Sequence, residues 1–349
     1  MGDIIAHAFG VKADLRRIIK LEKKPYFLSS AAVGGYEERR GPLGDKFDFC
    51  CEDDRFGMKT WEKAEGEMGR ISLNLALKKA ALSPDSLDVI LAGDLENQCV
   101  ASSNGLFTFG IPYIGLYSAC STCTESLLLL SVLLSFTNLT YGATVTTSHN
   151  SAAERQFRTP IEYGAQRAPG AQWTATAAGA FILSKEKHSG KSVYVDNLMI
   201  GKIVDGITTD GANMGAAMAR AAFDSIYTYF SVSGKAVSEF DMIVTGDLGR
   251  VGSDILRELL SKEVSGAEKI HEDCGLLLYD MNRKNVNAGA SGCGCSASVL
   301  ASHVLPMLQA GKLKNILFLS TGALMNPSSI LQGDNILGIA PIINLKSEN

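Results

Sequence analysis

The sequence predicts an α/β protein made of two duplicated halves, and three observations support this prediction. Buried apolar strands alternate with helical patterns along the chain. The segment from Asp88 to Leu95 returns as Asp241 to Leu248, 153 positions later, and the order of elements around both copies agrees. Because such alternation gives parallel or mixed sheets covered on both faces, we predict a five-layer α/β/α/β/α body with two mixed sheets. We assign residues 1–186 to the first half and 187–349 to the second.

The elements of the first half follow from hydrophobic periodicity and from turn residues. Residues 26–60 carry glycine, proline and charge clusters, which are typical of loops. A loop-rich insertion is predicted over 151–176. Between and after these loops, the predicted elements are a helix over 61–81, a strand over 87–92, a helix over 102–109, a strand over 111–116, a helix from 122, and strands over 143–147 and 179–183.

The second half repeats this order. A helix over 217–230 precedes the second copy of the repeated segment, as a helix precedes the first copy. Apolar runs bounded by turn residues predict the strands. After the repeat, the predicted elements are a strand over 275–279, a helix over 296–308, a strand over 315–320 and a last strand over 336–343.

Composition limits the function classes. The net charge of −4 argues against a nucleic-acid partner, because phosphate binding needs a concentrated basic surface. Eight cysteines in 349 residues, with no signal peptide before them, favour a reducing cytoplasm over a disulfide scaffold. The longest nearly apolar run, Leu127 to Phe136, is too short to span a bilayer. Any association with a membrane is therefore expected to be peripheral, through a partner.

Cys120 lies in the turn between a predicted strand and a predicted helix. Thr122 and Glu125 have the Ser/Thr-x-x-Glu spacing of a capping box, which predicts a helix start at this point. The positive end of a helix lowers the pKa of a thiol and favours the reactive thiolate. The alternative is a small buried residue at a tight turn, the commoner situation of a cysteine.

Polar residues at strand ends are candidate ligand contacts. His149 and Asp94 follow predicted strands of the first half, where α/β sheets place their ligands. Arg155 and Arg158 are three positions apart and suit the binding of carboxylates. Ion pairs with the chain's own acids are the alternative for both arginines. We expect the basic groups to contact an anionic ligand.

Several compositionally unusual runs carry a family resemblance across nearly the whole chain. They are Gly41-Pro42-Leu43-Gly44, Leu91-Ala92-Gly93-Asp94-Leu95, Ala119-Cys120-Ser121-Thr122, Ser148-His149-Asn150, Ala153-Glu154-Arg155-Gln156-Phe157-Arg158, Glu162-Tyr163-Gly164, Asp273-Cys274-Gly275 and Ser291-Gly292-Cys293-Gly294-Cys295-Ser296-Ala297. With the duplicated halves, these runs resemble the thiolase and ketoacyl-synthase superfamily. More narrowly, they are similar to the stage V sporulation protein AD family of endospore-forming bacteria. The resemblance implies a thiolase-like fold.

The superfamily resemblance also implies a catalytic set. It places Cys120 at the position of the nucleophile and His271, before a strand of the second half, at that of an assisting histidine. Cys293 stands where ketoacyl synthases of the third type have an asparagine. A thiol is a weak hydrogen-bond donor, so this set is poorly equipped to stabilise an oxyanion. The Gly-His-Pro and Cys-x-Gly motifs of thiolases are not found.

The narrower resemblance implies a binding protein for dipicolinic acid (pyridine-2,6-dicarboxylic acid), free or with Ca²⁺. It implies work with integral membrane subunits of the same spore transport system at the forespore or spore inner membrane, and a homodimer paired through the first halves. No resident cofactor is expected. The ligand contacts that we assign are Asp94, Cys120, His149, Asn150, Arg155 and Arg158. The alternative function is an acyltransferase that uses Cys120 as its nucleophile and His271 as its assisting group.

Metal and nucleotide chemistry have little support. Cys120-x-x-Cys123 and Cys293-x-Cys295 together could supply four thiolates to zinc, but the Cys-x-Cys spacing is atypical of such sites. We therefore predict no metal site. No Walker phosphate loop or Gly-x-Gly-x-x-Gly sequence is present, so nucleotide binding is not indicated.

Overall fold

The computed structural model describes residues 13–157, 168–188, 190, 192–283, 286 and 288–348. Its strands form one 12-stranded sheet, one 3-stranded sheet and one 2-stranded sheet. The strands are β1 (Ile18–Lys20), β2 (Tyr26–Gly34), β3 (Phe49–Cys50), β4 (Val89–Gly93), β5 (Tyr113–Gly115), β6 (Tyr141–Ser148), β7 (Trp173–Thr174), β8 (Ala177–Ser184), β9 (Ser192–Met199), β10 (Val204–Asp205), β11 (Met242–Thr245), β12 (His271–Asp273), β13 (Ala290–Ser291), β14 (Asn315–Leu319), β15 (Gly322–Leu324), β16 (Leu337–Ile339) and β17 (Ile342–Glu348).

The helices lie between these strands. They are α1 (Tyr36–Arg39), α2 (Trp61–Ala80), α3 (Val100–Leu106), α4 (Thr122–Phe136), α5 (Asn150–Phe157), α6 (Met214–Ser233), α7 (Gly249–Glu263), α8 (Cys274–Leu278), α9 (Cys293–Val299), α10 (Leu305–Gln309) and α11 (Pro327–Leu331). A π-helical segment, Leu300–Val304, joins α9 to α10. This segment precedes Pro306, which has no backbone N–H to offer the preceding turn.

The strand order repeats between the two halves. The first half has the order β2-β8-β6-β4-β5 and the second half has β9-β17-β14-β11-β12. In each half the first two pairings are antiparallel and the last two are parallel. The two mixed sheets join where Tyr26 and Phe27 pair with Tyr194 and Val193. The predicted duplication is therefore present as two copies of one five-strand sheet, linked at their edges.

The core places one layer of helices between the two sheets. The largest buried cluster combines Leu127, Leu130 and Leu134 of α4 with Val299 and Leu300, and with apolar residues of both sheets. A second cluster packs α6 and α7 on the outer face of the second sheet, and a third packs α2 on the outer face of the first. These clusters give the predicted α/β/α/β/α layering.

Several predicted elements are wrong in detail. The apolar run over 275–279 is not a strand, because α8 occupies it and the strand ends at Asp273. Residues 26–60 contain β2, and the insertion over 151–176 contains most of α5, so neither segment is only loop. The last predicted strand divides into β16 and the start of β17. The helices predicted from 61 and from 122 are confirmed.

One segment has the length and apolar composition of a membrane-crossing helix among the described residues. It runs from Ala119 to Phe136 and covers α4. Most of it is buried between the two sheets, with Leu127, Leu130 and Leu134 fully enclosed. Its apolar side chains thus serve as the core of the middle layer.

Candidate functional site

A cleft opens beside Cys120, where both halves contribute walls, and its space, counted with the open solvent at its mouth, is about 600 Å³. Most of its lining side chains are apolar, and its polar groups are hydroxyls, one thiol and one carboxylate. The lining residues are Leu95, Tyr117, Ala119, Cys120, Ala153, Glu154, Phe157, Thr174, Gly211, Met214, Ser291, Ala323 and Met325. An apolar cleft with a few convergent polar groups is the usual form of a small-molecule site.

A strained turn presents Cys120 to this cavity. Ala119 has a φ of 48°, a left-handed conformation that costs a non-glycine residue about 1 kcal/mol or more. Thr122 stabilises the turn, because its hydroxyl donates to the Ala119 carbonyl at 2.7 Å and accepts from the Ser118 amide at 3.0 Å. The predicted capping box is wrong: Ser121 is the residue before the helix and makes no side-chain cap.

Burial and the neighbouring Asp247 carboxylate set the protonation state of the Cys120 thiol. Burial, with the Asp247 charge as the next cause, raises the pKa of Cys120 well above the ordinary value. The predicted lowering of the Cys120 pKa is therefore wrong, because burial and a neighbouring anion outweigh the helix end. At neutral pH Cys120 is a neutral S–H group.

The second half holds Asp247 firmly. The carboxylate accepts from the Ser291 hydroxyl at 3.0 Å, the Gly292 amide at 3.0 Å and the Thr321 hydroxyl at 2.8 Å. Gly292 has a φ of 99°, and a Cβ there would lie 2.7 Å from the Ser148 hydroxyl, so this position requires glycine. Ser291 also lies 3.9 Å from the Cys120 sulfur, measured from its hydroxyl oxygen.

Cys293 lies next to Cys120 but does not line the cavity. It packs in one apolar cluster with Leu95, Cys120 and Ala153, and it is fully buried. Its thiol donates to the Thr147 carbonyl at 2.9 Å. Burial raises the pKa of Cys293 well above the ordinary value. Of the three residues that the superfamily resemblance assigned to catalysis, the structure thus brings Cys120 and Cys293 together. The Cys293 thiol is hydrogen-bonded to the backbone.

His271 lies elsewhere, at the start of β12. It is buried, and its Nε2 is 2.8 Å from the Thr245 hydroxyl. That hydroxyl donates to Asp273 at 2.7 Å, so we assign the proton to Nε2 of His271. Burial, with the Arg257 charge as a smaller cause, lowers the pKa of His271 to about 3. His271 is a neutral residue that does not line the cavity.

Asp94 is buried behind the cavity at the end of β4. Its carboxylate accepts from the Glu96 amide at 2.8 Å, the Ser102 amide at 2.7 Å and the Ser102 hydroxyl at 2.5 Å. Burial raises its pKa. Glu65 and Glu96 are buried near it, and burial together with the Asp94 charge raises the pKa of Glu96 to about 7. Asp94 therefore organises the loop into α3.

His149 and Asn150 hold backbone in place. The Nδ1 of His149 accepts from the Ser151 amide at 3.1 Å, and its Nε2 donates to the Asp54 carbonyl at 2.8 Å. Both ring nitrogens are therefore used, and burial lowers the pKa of His149. The amide of the Asn150 side chain donates to the Thr174 carbonyl at 3.2 Å. Neither residue lines the cavity.

Of the two arginines assigned to the ligand, the structure describes Arg155. It forms an ion pair with Glu62 of α2, and its side chain is about half exposed. This is the alternative interpretation of that arginine, a pair with one of the chain's own acids. Arg158 lies outside the described residues. Among the described residues, none of the cavity's lining side chains carries a positive charge.

Metal chemistry gains no support from the described part of the chain. No group of three or more histidine, cysteine, aspartate or glutamate side chains is placed there to hold a metal ion. All eight cysteines are free thiols.

Two site residues escaped the sequence reasoning. Asp247 carried a usable signal, because it is the second copy of the Gly-Asp-Leu motif that had already marked Asp94. Ser291 had a weaker signal, as the first residue of the unusual run that continues to Ala297. Their approach to Cys120 depends on how the second half docks on the first.

Comparison with known sequences points to one family. The pattern that defines the stage V sporulation protein AD family matches residues 15–346. The chain is 38% identical over 317 residues to the stage V sporulation protein AD of Bacillus subtilis (strain 168). That alignment covers 90% of this chain and 93% of the relative.

Comparison with solved structures identifies the fold as thiolase-like. A variant of OleA from Xanthomonas campestris aligns with a TM-score of 0.61 at 12% identity, covering 94% of this chain and 100% of that chain. The tetronic acid condensing enzyme AbyA1 gives 0.58 at 14% identity, covering 92% and 99%. The 3-oxoacyl-[acyl-carrier-protein] synthase III of Aquifex aeolicus gives 0.50 at 11%, covering 93% and 99%.

Proposed function

The chain belongs to the stage V sporulation protein AD family, and on that premise we propose that it binds dipicolinic acid in the cavity beside Cys120 and supports its uptake into the developing spore. The protonation state of Cys120 is the observation that supports a binding function. Burial and the Asp247 charge keep its thiol neutral, so it is a poor nucleophile at neutral pH. The cavity beside it is nevertheless open to a small molecule.

The charge of the cavity favours one form of the ligand. Free dipicolinate is a dianion at neutral pH, whereas its one-to-one chelate with Ca²⁺ is neutral. The described walls are mostly apolar, with the Glu154 carboxylate as their only charged group. Moving an unpaired dianion into such a site is costly. We therefore propose that the cavity binds the flat calcium chelate, with carboxylate and hydroxyl oxygens near the ion.

Calorimetry of the purified chain tests this proposal. Titration with calcium dipicolinate is expected to show saturable heat, with weaker binding of the free acid to the same cavity. Gly211→Trp fills the cavity, since a Cβ at that position meets nothing closer than 3.4 Å, and is expected to weaken chelate binding at least tenfold. Gly170→Trp is the matched control outside the cavity, also with 3.4 Å of space. No binding of dipicolinate with or without Ca²⁺ would overturn the proposal.

Acyl transfer through Cys120 is the second candidate, favoured by the fold alone. It requires an acyl group from coenzyme A or a carrier protein to be held as a thioester on the sulfur. The two functions differ in one product, because only the transferase leaves an acyl adduct on the chain.

We propose a homodimer that pairs through the β5 edges of the first halves. All three residues of β5 are exposed, with Tyr113 at 38% and Ile114 at 40%, whereas His271 and Asp273 of the opposite edge strand are buried. An edge with free backbone groups and apolar side chains readily pairs with a second strand. Ile114→Lys is expected to give a monomer in analytical ultracentrifugation. A dimer of unchanged stability in that variant would rule out this edge.

We propose that the chain reaches the membrane through integral subunits of the same transport system. The apolar helix α4 supports a partner over a direct anchor, because its side chains are buried in the core. In a flotation assay the chain is expected to stay with the soluble fraction when vesicles carry no protein and to float with vesicles that carry those subunits. Flotation with protein-free vesicles would contradict this.

A further inference from the structure

Three lysines converge on one carboxylate at the junction of the two sheets. The Nζ atoms of Lys24, Lys235 and Lys346 lie 2.9, 3.2 and 3.0 Å from the Asp196 carboxylate. Asp196 lies in β9, Lys346 in β17, Lys24 just before β2 and Lys235 just after α6. Four separate parts of the chain thus bring these charges together, and we call them the lysine cluster.

The lysine cluster carries more positive than negative charge. Three ammonium groups face one carboxylate, which leaves an excess of about two positive charges in a chain of net charge −4. The lysine hydrogen bonds hold the pKa of Asp196 well below its usual range, so its carboxylate is ionised at any working pH. One carboxylate cannot neutralise three ammonium groups that lie this close together.

The lysine cluster is also partly shielded from water. Side-chain exposure is 13% for Asp196, 21% for Lys235, 28% for Lys346 and 44% for Lys24. Screening by solvent is weaker for partly buried charges than for exposed ones, so their mutual repulsion persists. The cluster stays open enough for a small ion to reach it.

The number of donors in the lysine cluster suits an oxyanion. An ammonium group has three N–H donors, and each lysine uses one of them on Asp196. Lys235 gives a second to the side-chain oxygen of Asn344 at 3.0 Å. Lys24 also lies over the Tyr194 ring, 4.8 Å from its centroid. The other donors of the three ammonium groups can serve a further acceptor that reaches the lysine cluster.

We propose that the lysine cluster is a binding site for a small dianion, a phosphate group or a dicarboxylate. Such an ion carries two negative charges and several acceptor oxygens, which match the excess charge and the remaining donors. The cluster shares no residue with the cavity at Cys120. This inference therefore does not depend on the ligand of that cavity.

Calorimetry with two probes tests whether the lysine cluster binds a dianion and distinguishes a phosphate from a dicarboxylate. Inorganic phosphate and calcium-free pyridine-2,6-dicarboxylate are titrated at constant ionic strength, with acetate as the singly charged control. At least one dianion is expected to bind, more tightly than acetate and less tightly as salt rises. The dianion that binds more tightly shows whether the site prefers a phosphate group or a dicarboxylate. Absence of binding by both dianions would overturn the proposal.

Lysine variants and an Asp196 variant are expected to change the affinity for the dianion in opposite directions. Lys235→Ala with Lys346→Ala, which leaves Lys24 to pair with Asp196, is expected to weaken dianion binding at least tenfold. Asp196→Asn removes the competing carboxylate and is expected to tighten it severalfold. Lys262→Ala, which breaks a one-to-one pair with Glu258, is the control and leaves affinity unchanged. Unchanged affinity in the double variant, or weaker binding in Asp196→Asn, would overturn the proposal.

The site can be separated from the cavity. The double lysine variant is expected to bind calcium dipicolinate as the unmodified chain does, and Gly211→Trp is expected to bind the free dianion at the lysine cluster as the unmodified chain does. If the cavity variant abolished dianion binding while the lysine variant kept it, the lysine cluster would be excluded whatever the cavity binds.

Discussion

The two copies of the Gly-Asp-Leu motif occupy equivalent strand ends but differ in what they control. Asp94 follows β4 and Asp247 follows β11, and each carboxylate accepts three hydrogen bonds. The donors to Asp94 lie in the segment just after it, up to Ser102 of α3. Asp247 also places its charge near the thiol of Cys120, in the other half, and helps to raise the pKa of that thiol. The two aspartates thus share a structural role. Only Asp247 also affects the pKa of a thiol, because the packing of the two halves brings it near Cys120.

This difference explains how a thiolase-like frame can hold a poor nucleophile. The turn at Ala119 and the start of α4 retain the geometry that exposes Cys120 to a cavity. The anion beside the sulfur opposes formation of a thiolate.

The largest expected effect is on stability and is the same for both copies. Asp94→Ala and Asp247→Ala each leave three donors unsatisfied in the core, so each is expected to lower the free energy of unfolding by about 3–5 kcal/mol. Urea denaturation measures this. A loss under about 1 kcal/mol at one position only would show that the two carboxylates do not share a structural role.

The next effect concerns pH and contrasts two carboxyls whose pKa is raised to about 7. Burial raises the pKa of Glu96, so its folded form holds a proton that the unfolded form releases, and stability falls as pH rises from about 4.5 to about 7. Glu96→Gln is expected to flatten this slope and to gain about 1–3 kcal/mol at pH 8. Denaturation at several pH values measures it, and an unchanged slope would contradict it.

Asp273 supplies the contrast to Glu96. Burial also raises its pKa to about 7, but its carboxylate accepts from the Thr245 hydroxyl and from the amides of Leu248 and Gly249. Asp273→Asn replaces one acceptor oxygen with a donor. It is therefore expected to destabilise the chain at every pH, by about 1–3 kcal/mol. Stabilisation at pH 8 would show that charge burial outweighs these bonds.

The smallest expected effect is on the alkylation rate of Cys120, and it distinguishes Asp247 from Asp94 most directly. Asp247→Asn removes the anion beside Cys120, lowers the pKa of that thiol and is expected to raise its alkylation rate by iodoacetamide about tenfold at pH 8. Asp94→Asn is the matched control and leaves the rate within about twofold. Peptide mapping of the modified chain measures Cys120 separately. Equal rates in both variants would mean that Asp247 does not control the thiol.

The sequence predicted the architecture better than the site. Hydrophobic periodicity identified α2, the capping spacing before an apolar run identified α4, and a repeated segment identified the duplication. The run from Gly275 to Tyr279 was misassigned because a short apolar stretch fits a strand or a buried helix equally well. The turn at Cys120 was expected from its position between a strand and a helix, whereas the left-handed conformation of Ala119 was not.

Long-range contacts account for what the sequence could not predict. Asp247 lies far from Cys120 along the chain, and only docking of the halves brings its charge to the thiol. In the same way, the ion pair of Arg155 with Glu62 joins residues that lie far apart along the chain. The bond of His149 to the Asp54 carbonyl depends on a loop that is distant along the chain. Residue type alone does not reveal such partners.

Acylation of Cys120 tests the central claim that this cavity binds and does not catalyse. The folded chain is incubated with acyl-coenzyme A at pH 7–8, with Cys120→Ser as the control, and intact mass is recorded over time. We expect calcium dipicolinate to bind and the mass of the chain to stay unchanged. An acyl adduct that appears on the unmodified chain and is absent from Cys120→Ser would show that the thiol is a working nucleophile, and would contradict the account.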